Sequence, residues 1–277
     1  MLPKISIIVA TYNSGKTLRD TIRSIISQTY KNIELIIIDG NSKDNTLDII
    51  TEYSDYIGYF ISEADDGIYY ALNKGIDAAT GDYICIIGSD DFFFDINVIK
   101  MVVENIDTNT DILSTSCYIV DEDLNIQLYY GNSHAKVKDR FPGWMIPHAG
   151  MYVKNAILKK YKFDVRYKIA ADYDFFLKCY YDDNILFKFV DIPTYYFSNS
   201  GASSNEELIA KEVKNIKKSY GIREEVKIRA KSVYYIKQKI KTFLDFIGLG
   251  KFWRIKFTHW EIHKCNNDYC RLCRCIR

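Results

Sequence analysis

The chain has 277 residues, enough for one large domain or for one domain with a helical appendage. Hydrophobic residues make up 48% of it and charged residues 26%, a composition that excludes a disordered chain. The net charge of +1 hides an asymmetry along the chain. Residues 206–277 contain 18 Lys and Arg but only 8 Asp and Glu, whereas residues 1–205 contain 19 basic and 28 acidic side chains. The acidic body argues against nucleic-acid binding.

Neither a signal peptide nor a membrane span is predicted from the sequence. The apolar run Ile5–Ala10 is too short for a signal peptide, and no run of about 20 apolar residues follows. We therefore expect a cytoplasmic protein. Single cysteines in apolar surroundings, Cys85, Cys117 and Cys179, are predicted to be reduced core residues.

The first half of the chain alternates strand-like and helix-like segments. The continuous apolar run 5–10 predicts a strand buried on both faces, and Leu18, Ile22, Ile25 and Ile26 share one helical face. Further strands are predicted at 33–38, 59–61 and 83–87, with helices through 47–53 and 68–79. This succession predicts an α/β fold with a parallel, doubly wound sheet and right-handed crossovers.

Polar clusters follow each predicted strand of this half, at residues 11–15, 39–44, 63–67 and 88–91. Ligands of such sheets bind outside the carboxyl ends of the strands. We therefore expect one binding site built from these four clusters.

The second half is less regular. We predict a strand at 111–116, a hairpin at 118–130, a helix after Pro147–His148, a helix at 172–181, and a strand pair or extended edge at 184–197 interrupted by Pro193. After Ser204 the pattern is helical and basic to about Ile247. The predicted domains are a catalytic domain at 1–204, with halves 1–91 and 92–204, and a tail at 205–277.

Asp90 and Asp91 follow an apolar strand directly. Two adjacent carboxylates repel each other unless a cation or a hydrogen-bonded hydroxyl compensates them. Hard divalent ions such as Mg²⁺ or Mn²⁺ prefer oxygen ligands of this kind. A solvated turn is the alternative when the pair is considered alone.

Four ordered motifs give this pair its context. They are Ile7–Asn13, Asp39–Thr46, the segment 62–76 with its continuation 79–84, and Gly88–Asp91. Together they resemble the family 2 glycosyltransferases over roughly residues 4–200. The resemblance implies the GT-A fold, a Rossmann-like α/β architecture with a mostly parallel central sheet flanked by helices, here with a C-terminal helical extension.

The resemblance also implies roles for individual residues. Asp39 would accept a hydrogen bond from the base, although a strand-end cap is the other interpretation, and Asp91 would hold a divalent metal, Mn²⁺ or Mg²⁺. The residues expected at the nucleotide are Thr11, Tyr12, Asn13, Asp39, Asp65, Lys74 and Asp90.

A general base is expected some 80 residues further on, at the start of a helix. Asp172 matches it, whereas the acidic residue that usually precedes the base is replaced by Ala171. Asp172 would take the proton of the attacking hydroxyl, so that direct displacement inverts the anomeric centre. A helix N-cap is a compatible role for it, and Asp174 is the second candidate.

Two further segments resemble the family. Pro147–His148 places His148 as either a substrate contact or a structural residue. The loop Ser198–Ser203 is either a segment that closes over the diphosphate or a linker. The Gln-x-x-Arg-Trp motif of processive synthases is absent from the sequence, so transfer of a single sugar is expected.

The tail has two unusual compositions. Between Val233 and Trp260, basic, aromatic and amphipathic residues predict contact with an anionic membrane surface, against the alternative of packing on the catalytic domain. The ending supplies enough ligands for zinc, at His259, His263, Cys265, Cys270, Cys273 and Cys275, but its spacing matches no standard module. A cysteine-rich tail without metal is the favoured interpretation.

The sequence therefore predicts an inverting glycosyltransferase. Its donor would be a nucleotide-sugar, most simply a UDP-sugar, and its acceptor a glycan or lipid-linked saccharide in surface polysaccharide synthesis at the inner face of the membrane. A sugar nucleotidyltransferase would need a Gly-rich N-terminal loop, which residues 10–13 do not provide. A non-catalytic sugar-nucleotide-binding or scaffold protein would not need both Asp91 and Asp172.

Overall fold

The computed structural model describes residues 2–121, 126–130, 148–198 and 206–222, together with residues 251, 254, 261 and 262. Its first half contains, in order, β1 Ile5–Thr11, α1 Leu18–Ile26, β2 Ile33–Asp39, α2 Thr46–Glu52, β3 Ile57–Ser62, α3 Ile68–Ala78 and β4 Tyr83–Gly88. The predicted alternation is confirmed, with boundaries shifted by a few residues.

The second half adds shorter elements. They are β5 Phe92–Phe93, α4 Val98–Asn105, β6 Ile112–Asp121, β7 Ile126–Tyr130, β8 Met151–Lys154, α5 Asn155–Tyr161, α6 Ala171–Tyr180, β9 Phe187–Ser198, α7 Glu206–Ser219 and β10 Glu261–Ile262. Short 3₁₀ turns lie at Ser54–Tyr56 and His148–Gly150.

All of the described strands belong to one sheet. Its main path runs β10-β7-β6-β8-β4-β1-β2-β3, and β9 joins it beside β6 and β5. Strands β4, β1, β2 and β3 are parallel, whereas β8 enters antiparallel to β4 and β6. The predicted mostly parallel α/β sheet is therefore confirmed in its first half and becomes mixed in its second.

Helices cover both faces of the sheet. One apolar cluster includes Ile8 and Ile84 with residues of α3, α5 and α6, and the other includes Ile7 and Cys85 with residues of α1 and α4. Such two-sided burial explains why the first strands are continuous apolar runs. Cys85, Cys117 and Cys179 are free and buried, and burial raises the pKa of each thiol to about 12.

Strand β9 is not the strand pair predicted for 184–197; as in the alternative prediction it is one extended segment, but Pro193 does not interrupt it. It is a single strand that runs parallel to β6, and Pro193 lies opposite Ser116 where the register shifts on both sides. A proline is tolerated at such an irregularity because no ladder hydrogen bond from its nitrogen is required. The hairpin prediction at 118–130 corresponds to β6 and β7, and its turn lies outside the described residues.

Parts of the tail pack on the rest of the chain. Ile216 of α7 is fully buried in the cluster that contains α6, Arg254 forms an ion pair with Asp121, and β10 pairs with β7. These contacts agree with the packing alternative for those residues, whereas most of 233–260 and all four terminal cysteines lie outside the described residues. Within the described part of the chain, every helix is too short or too polar to cross a bilayer. The domain boundary at 204/205 stays a prediction.

Candidate active site

The carboxyl ends of the four parallel strands form one row. Thr11 of β1 pairs with Asp39 of β2, Asp39 pairs with Ser62 of β3, and on the other side Ala10 pairs with Gly88 of β4. Neighbouring strands are about 4.8 Å apart, so the row extends over roughly 14 Å. The structure thus brings all four polar clusters to one edge of the sheet, as the sequence predicts.

Asp39 is fully buried at the centre of this row. Its carboxylate accepts hydrogen bonds from the backbone N–H of Ser42 at 3.0 Å, from the Ser42 hydroxyl at 2.5 Å and from the Ser62 hydroxyl at 2.6 Å. These bonds compensate the burial of a charge and are those of a strand-end cap. They also lock the carboxylate in one orientation beside β1.

Residues 11–13 lead away from β1 over this carboxylate. Asn13 has φ 51°, a left-handed conformation that asparagine tolerates better than most residues. Its N–H donates to the Ser42 hydroxyl and its side-chain oxygen accepts from the N–H of Lys43, both at 2.8 Å. The Tyr12 side chain is 62% exposed, whereas the Thr11 hydroxyl oxygen is buried without a hydrogen bond to the described part of the chain.

The acidic turn after β4 is built over a glycine. A Cβ atom at Gly88 would lie 2.8 Å from Oδ1 of Asp90 and 2.8 Å from Oδ2 of Asp91. Only glycine therefore leaves room for the two carboxylate oxygens to converge here. Two hard oxygen donors on adjacent residues fit a Mg²⁺ or Mn²⁺ ion that takes its other ligands from water and diphosphate. No cluster of three or more His, Cys, Asp or Glu side chains forms among the residues that the structure describes.

Residues of α1 and β9 fix this turn, one through its backbone and the other through the Asp91 side chain. The Thr21 hydroxyl, buried on α1, lies 3.0 Å from the carbonyl of Ser89 and 2.7 Å from that of Asp91, so that it can donate to either. Asp91 is 3% exposed, and its Oδ1 accepts the N–H of Ser198 at 2.9 Å. The end of β9 is therefore held on the carboxylate that is predicted to bind metal.

Asp65 and Lys74 form an ion pair beside the row. The Lys74 ammonium lies 2.7 Å from Asp65 and 2.5 Å from Glu63. Burial opposes the charge of Lys74, but its bonds to Asp65 and Glu63 raise the pKa above the ordinary value. Oδ2 of Asp65 is buried and accepts no hydrogen bond from the described residues.

Asp172 lies in the first turn of α6 and meets the first turn of α3. The Tyr69 hydroxyl donates to Oδ1 of Asp172 at 3.2 Å, and the N–H of Tyr173 donates to the same oxygen at 2.9 Å. Burial, and secondarily the charge of Asp172, raise the pKa of Tyr69 well above its usual value, so the phenol stays protonated as a donor. Since α3 begins where β3 has just ended, Asp172 is brought toward the carboxyl edge of the sheet.

Asp174 has different neighbours. Its carboxylate lies 2.7 Å from the Lys178 ammonium, and the hydroxyl of Tyr220, the residue after α7, donates to it at 3.2 Å. The second candidate for the base is thus involved in contacts between α6 and α7. His148 lies in the 3₁₀ turn before β8, its side chain lies outside the described part of the chain, and so do residues 199–203 of the predicted closing loop.

Several residues of the site were not predicted from the sequence. Four side chains form hydrogen bonds to a candidate residue or to the loop beside it, namely Thr21, Ser62, Tyr69 and Glu212. Tyr69 lies inside the motif segment 62–76, so this position could have been recognised as part of the site from the sequence. Thr21 and Glu212 occupy ordinary helical positions, and no local pattern distinguishes them.

The sheet with helices on both of its faces has the GT-A fold, as two solved structures show. TarS of S. aureus in complex with UDP-GlcNAc superposes with a TM-score of 0.60 at 20% identity, covering 77% of this chain and 65% of that one. Glucosyl-3-phosphoglycerate synthase of Mycobacterium tuberculosis, in complex with Mn²⁺, UDP and glucosyl-3-phosphoglycerate, gives 0.59 at 14% identity, covering 80% and 82%. A longer TarS chain is matched over 39% of its length.

The sequence comparisons identify the family. The model of glycosyl transferase family 2 matches residues 6–169, more than half of the chain, and the chain therefore belongs to this family of glycosyltransferases. A PGL/p-HBAD biosynthesis glycosyltransferase of Mycobacterium bovis is 25% identical over 206 residues, 73% of this chain and 80% of that protein. An uncharacterized glycosyltransferase of Methanocaldococcus jannaschii is 32% identical over 192 residues, 65% and 66% of the two chains.

Proposed function

We propose that this glycosyltransferase moves a single sugar from a UDP-sugar to a hydroxyl group of a glycan or lipid-linked acceptor, with inversion at the anomeric carbon. The observation that carries the proposal is the row at the carboxyl edge of the sheet. It places the buried carboxylate of Asp39 two strands away from the acidic turn at Asp90 and Asp91. One end suits a nucleoside and the other a diphosphate.

The nucleoside end would be lined by Thr11, Tyr12 and Asn13, with Asp39 beneath them. Two buried atoms support this assignment, since the Thr11 hydroxyl and Oδ2 of Asp65 accept no hydrogen bond from the described residues, and a bound ligand could supply one. Lys74 offers a cation beside the nucleotide, and its partners Glu63 and Asp65 hold it in place. TarS of S. aureus, which shares the fold, has been crystallised with UDP and with UDP-GlcNAc.

The diphosphate end would hold a divalent ion on Asp91, with Asp90 toward the ribose. When bound, such an ion stabilises the negative charge that develops on the departing nucleoside diphosphate. The protein's own contribution is to keep both carboxylates converged over Gly88 and to fix the turn through Thr21 and Ser198. Three of the structures that match this fold contain Mn²⁺.

Asp172 would act as the general base. Its carboxylate takes the proton of the acceptor hydroxyl while the oxygen bonds to the anomeric carbon. The bond from that carbon to the phosphate oxygen breaks, and its electron pair leaves with the nucleoside diphosphate. The bonds from Tyr69 and the Tyr173 N–H support this role because they fix Oδ1 and the orientation of the group. His148 and Asp174 are the remaining candidates for substrate contact.

The cellular setting is proposed from the tail and the relatives. The surplus of basic residues after residue 205 suits the anionic inner face of a membrane. A relative named for PGL/p-HBAD biosynthesis fits an enzyme that takes part in building a product. Synthesis of a surface polysaccharide, by an enzyme peripheral to the cytoplasmic membrane, is the setting that joins these facts.

A donor screen tests the proposal. Purified protein with Mn²⁺ is incubated with UDP-, GDP- and dTDP-sugars, and release of the nucleoside diphosphate is measured for the wild type and for Asp172→Asn. We expect turnover with a UDP-sugar, lost with chelator and reduced at least a hundredfold in the variant. Normal turnover by Asp172→Asn would refute the base assignment. Absence of both turnover and a melting-temperature shift with every UDP-sugar would refute the donor assignment.

A further inference from the structure

Helix α7, which follows the segment with similarity to the family, contributes a carboxylate to the region of the proposed base. Glu212 is 8% exposed and accepts three consecutive backbone N–H groups, those of Lys168 at 2.9 Å, Ile169 at 3.0 Å and Ala170 at 3.1 Å. Ala170 is the N-cap residue of α6, and its own side chain makes no capping hydrogen bond. The only carboxylate that the structure places on these three N–H groups thus comes from α7, more than 40 residues away.

These hydrogen bonds of Glu212 affect the proposed base because the three residues directly precede the turn that carries Asp172. The first N–H groups of a helix have no partner within the helix, and an unpaired buried N–H costs as much as a lost hydrogen bond. Ala170 is 1% exposed and Ala171 is fully buried, so water does not readily replace a lost partner there. The carboxylate of Glu212 therefore fixes the backbone from which Asp172 projects.

The other side of the same loop is held by α3. Asn73 accepts the N–H of Phe163 and donates to its carbonyl, both at 2.9 Å, and the Phe163 ring packs on Tyr69 at a centroid distance of 5.3 Å. Asn73 and Tyr69 thus secure the loop and the Asp172 carboxylate against α3. From α7, Ile216 packs against the cluster that contains α6, and Glu212 bonds to the backbone just before α6 begins.

We propose that Glu212 is a positioning residue for the reaction, and that it acts by holding residues 168–170 so that Asp172 lies at the correct distance from the acceptor hydroxyl. This inference rests on the proposed function of Asp172. It extends the working catalytic unit beyond residue 204 and makes α7 part of it. A displacement of about 1 Å at a reacting group can lower a rate roughly a hundredfold.

The test compares Glu212→Ala and Glu212→Gln with Ile216→Val in the full-length chain. Ile216 is fully buried on the same helix, and its substitution weakens the packing of α7 without touching the three N–H groups. Turnover with the donor identified in the screen is measured as kcat and as KM for that donor, and kcat is divided by the folded fraction from circular dichroism.

We expect Glu212→Ala to lower kcat by roughly tenfold to a hundredfold with the donor KM changed less than about twofold, because the nucleotide row is untouched. Glu212→Gln keeps one acceptor oxygen and is expected to recover part of kcat. Ile216→Val is expected to lower the melting temperature and leave kcat unchanged. If Glu212→Ala does not fold, the comparison of Glu212→Gln with Ile216→Val decides.

Three outcomes overturn the inference. They are a wild-type kcat in both Glu212 variants, a kcat loss that disappears after division by the folded fraction, or a parallel kcat loss in Ile216→Val. Failure of the proposed function gives different results from these three. If the proposed function is wrong, the wild type itself shows no turnover, or Asp172→Asn turns over normally.

Discussion

The backbone N–H of Ser198 donates to Oδ1 of Asp91 at 2.9 Å, across 107 residues of the chain. Ser198 is the last residue of β9, and Asp91 follows the carboxyl end of β4. One carboxylate is thus both a proposed metal ligand and the acceptor that holds the end of β9. Substitutions at position 91 must separate these two roles.

Asp91→Asn makes that separation. The amide oxygen still accepts the N–H of Ser198, whereas the charge that would bind a divalent ion is lost. We expect kcat to fall roughly a hundredfold or more, since metal stabilisation of a leaving group contributes several kcal/mol. The measurement is turnover as a function of Mn²⁺ concentration, together with the melting temperature.

Asp91→Ala should differ by losing stability as well. It leaves a buried N–H without its acceptor, which costs about 1–3 kcal/mol. The exposed Asp48→Asn on α2 serves as the control for a lost charge and should behave as the wild type. Full activity of Asp91→Asn at ordinary Mn²⁺ concentrations would remove Asp91 from the metal site.

Gly88→Ala tests the convergence of the two carboxylates. The added methyl would lie 2.8 Å from an oxygen of Asp90 and 2.8 Å from one of Asp91, closer than real Cβ contacts. We expect the carboxylates to move apart, so that half-maximal activity requires at least about tenfold more Mn²⁺, in the way that altered ligand geometry weakens metal binding. Metal titration of activity gives the result directly.

Gly58→Ala is the matched control for this substitution. Its methyl would lie 3.3 Å from the Glu34 side chain, far from the acidic turn in the chain and in the sheet. An unchanged Mn²⁺ requirement in Gly88→Ala, with the same requirement in Gly58→Ala, would show that the position of the carboxylates over Gly88 does not affect metal binding.

Tyr69→Phe removes the hydroxyl that donates to Asp172. The ring contact with Phe163 remains, so the fold should be kept. One hydrogen bond to a charged group is worth about 1.5–3 kcal/mol, or roughly tenfold to a hundredfold in rate. We expect a smaller fall in kcat, about three- to thirtyfold, because the Tyr173 N–H still orients the carboxylate. The donor KM should not change. A wild-type kcat at every pH would show that this bond has no part in the reaction.

The sequence predicted the strands of the first half because their continuous apolar runs are too short for helices and are each followed by polar turn residues. It also predicted that Asp39 and Asp91 lie at one edge, since parallel strands end together. The second half was harder. Pro193 suggested an interruption, but a register shift opposite Ser116 lets β9 continue through it.

Contacts that join distant segments through the backbone leave no local pattern. Glu212 bonds to N–H groups more than 40 residues earlier, and any residue type there presents the same N–H. Likewise, Thr21 acts through the carbonyls of Ser89 and Asp91. The sequence identifies the side chains that would meet the substrate, whereas the residues that hold them in place are found only in the folded chain.

The pH dependence of stability has an identifiable source in Glu34, far from the site. Its carboxylate bonds to the Ser6 hydroxyl at 2.6 Å, to the N–H and hydroxyl of Thr80, and to the Lys4 ammonium at 3.0 Å. Burial alone would raise the pKa of Glu34, but these hydrogen bonds from Ser6, Thr80 and Lys4 lower it from 4.5 to about 2. The ionised carboxylate is therefore the form that stabilises the fold.

A depressed pKa in the folded state means that the stabilisation is fully present above pH 4.5 and is lost as the pH falls toward 2. Replacement by glutamine should therefore destabilise the protein at pH 7, by about 3 kcal/mol at most. The difference between the wild type and Glu34→Gln should shrink progressively below pH 4.5. Urea unfolding at pH 7, 5, 4 and 3 measures it, with the exposed Glu104→Gln as control. A difference that stayed constant over this range would show that the charge of Glu34 is not what stabilises the junction of β1, β2 and the turn before β4.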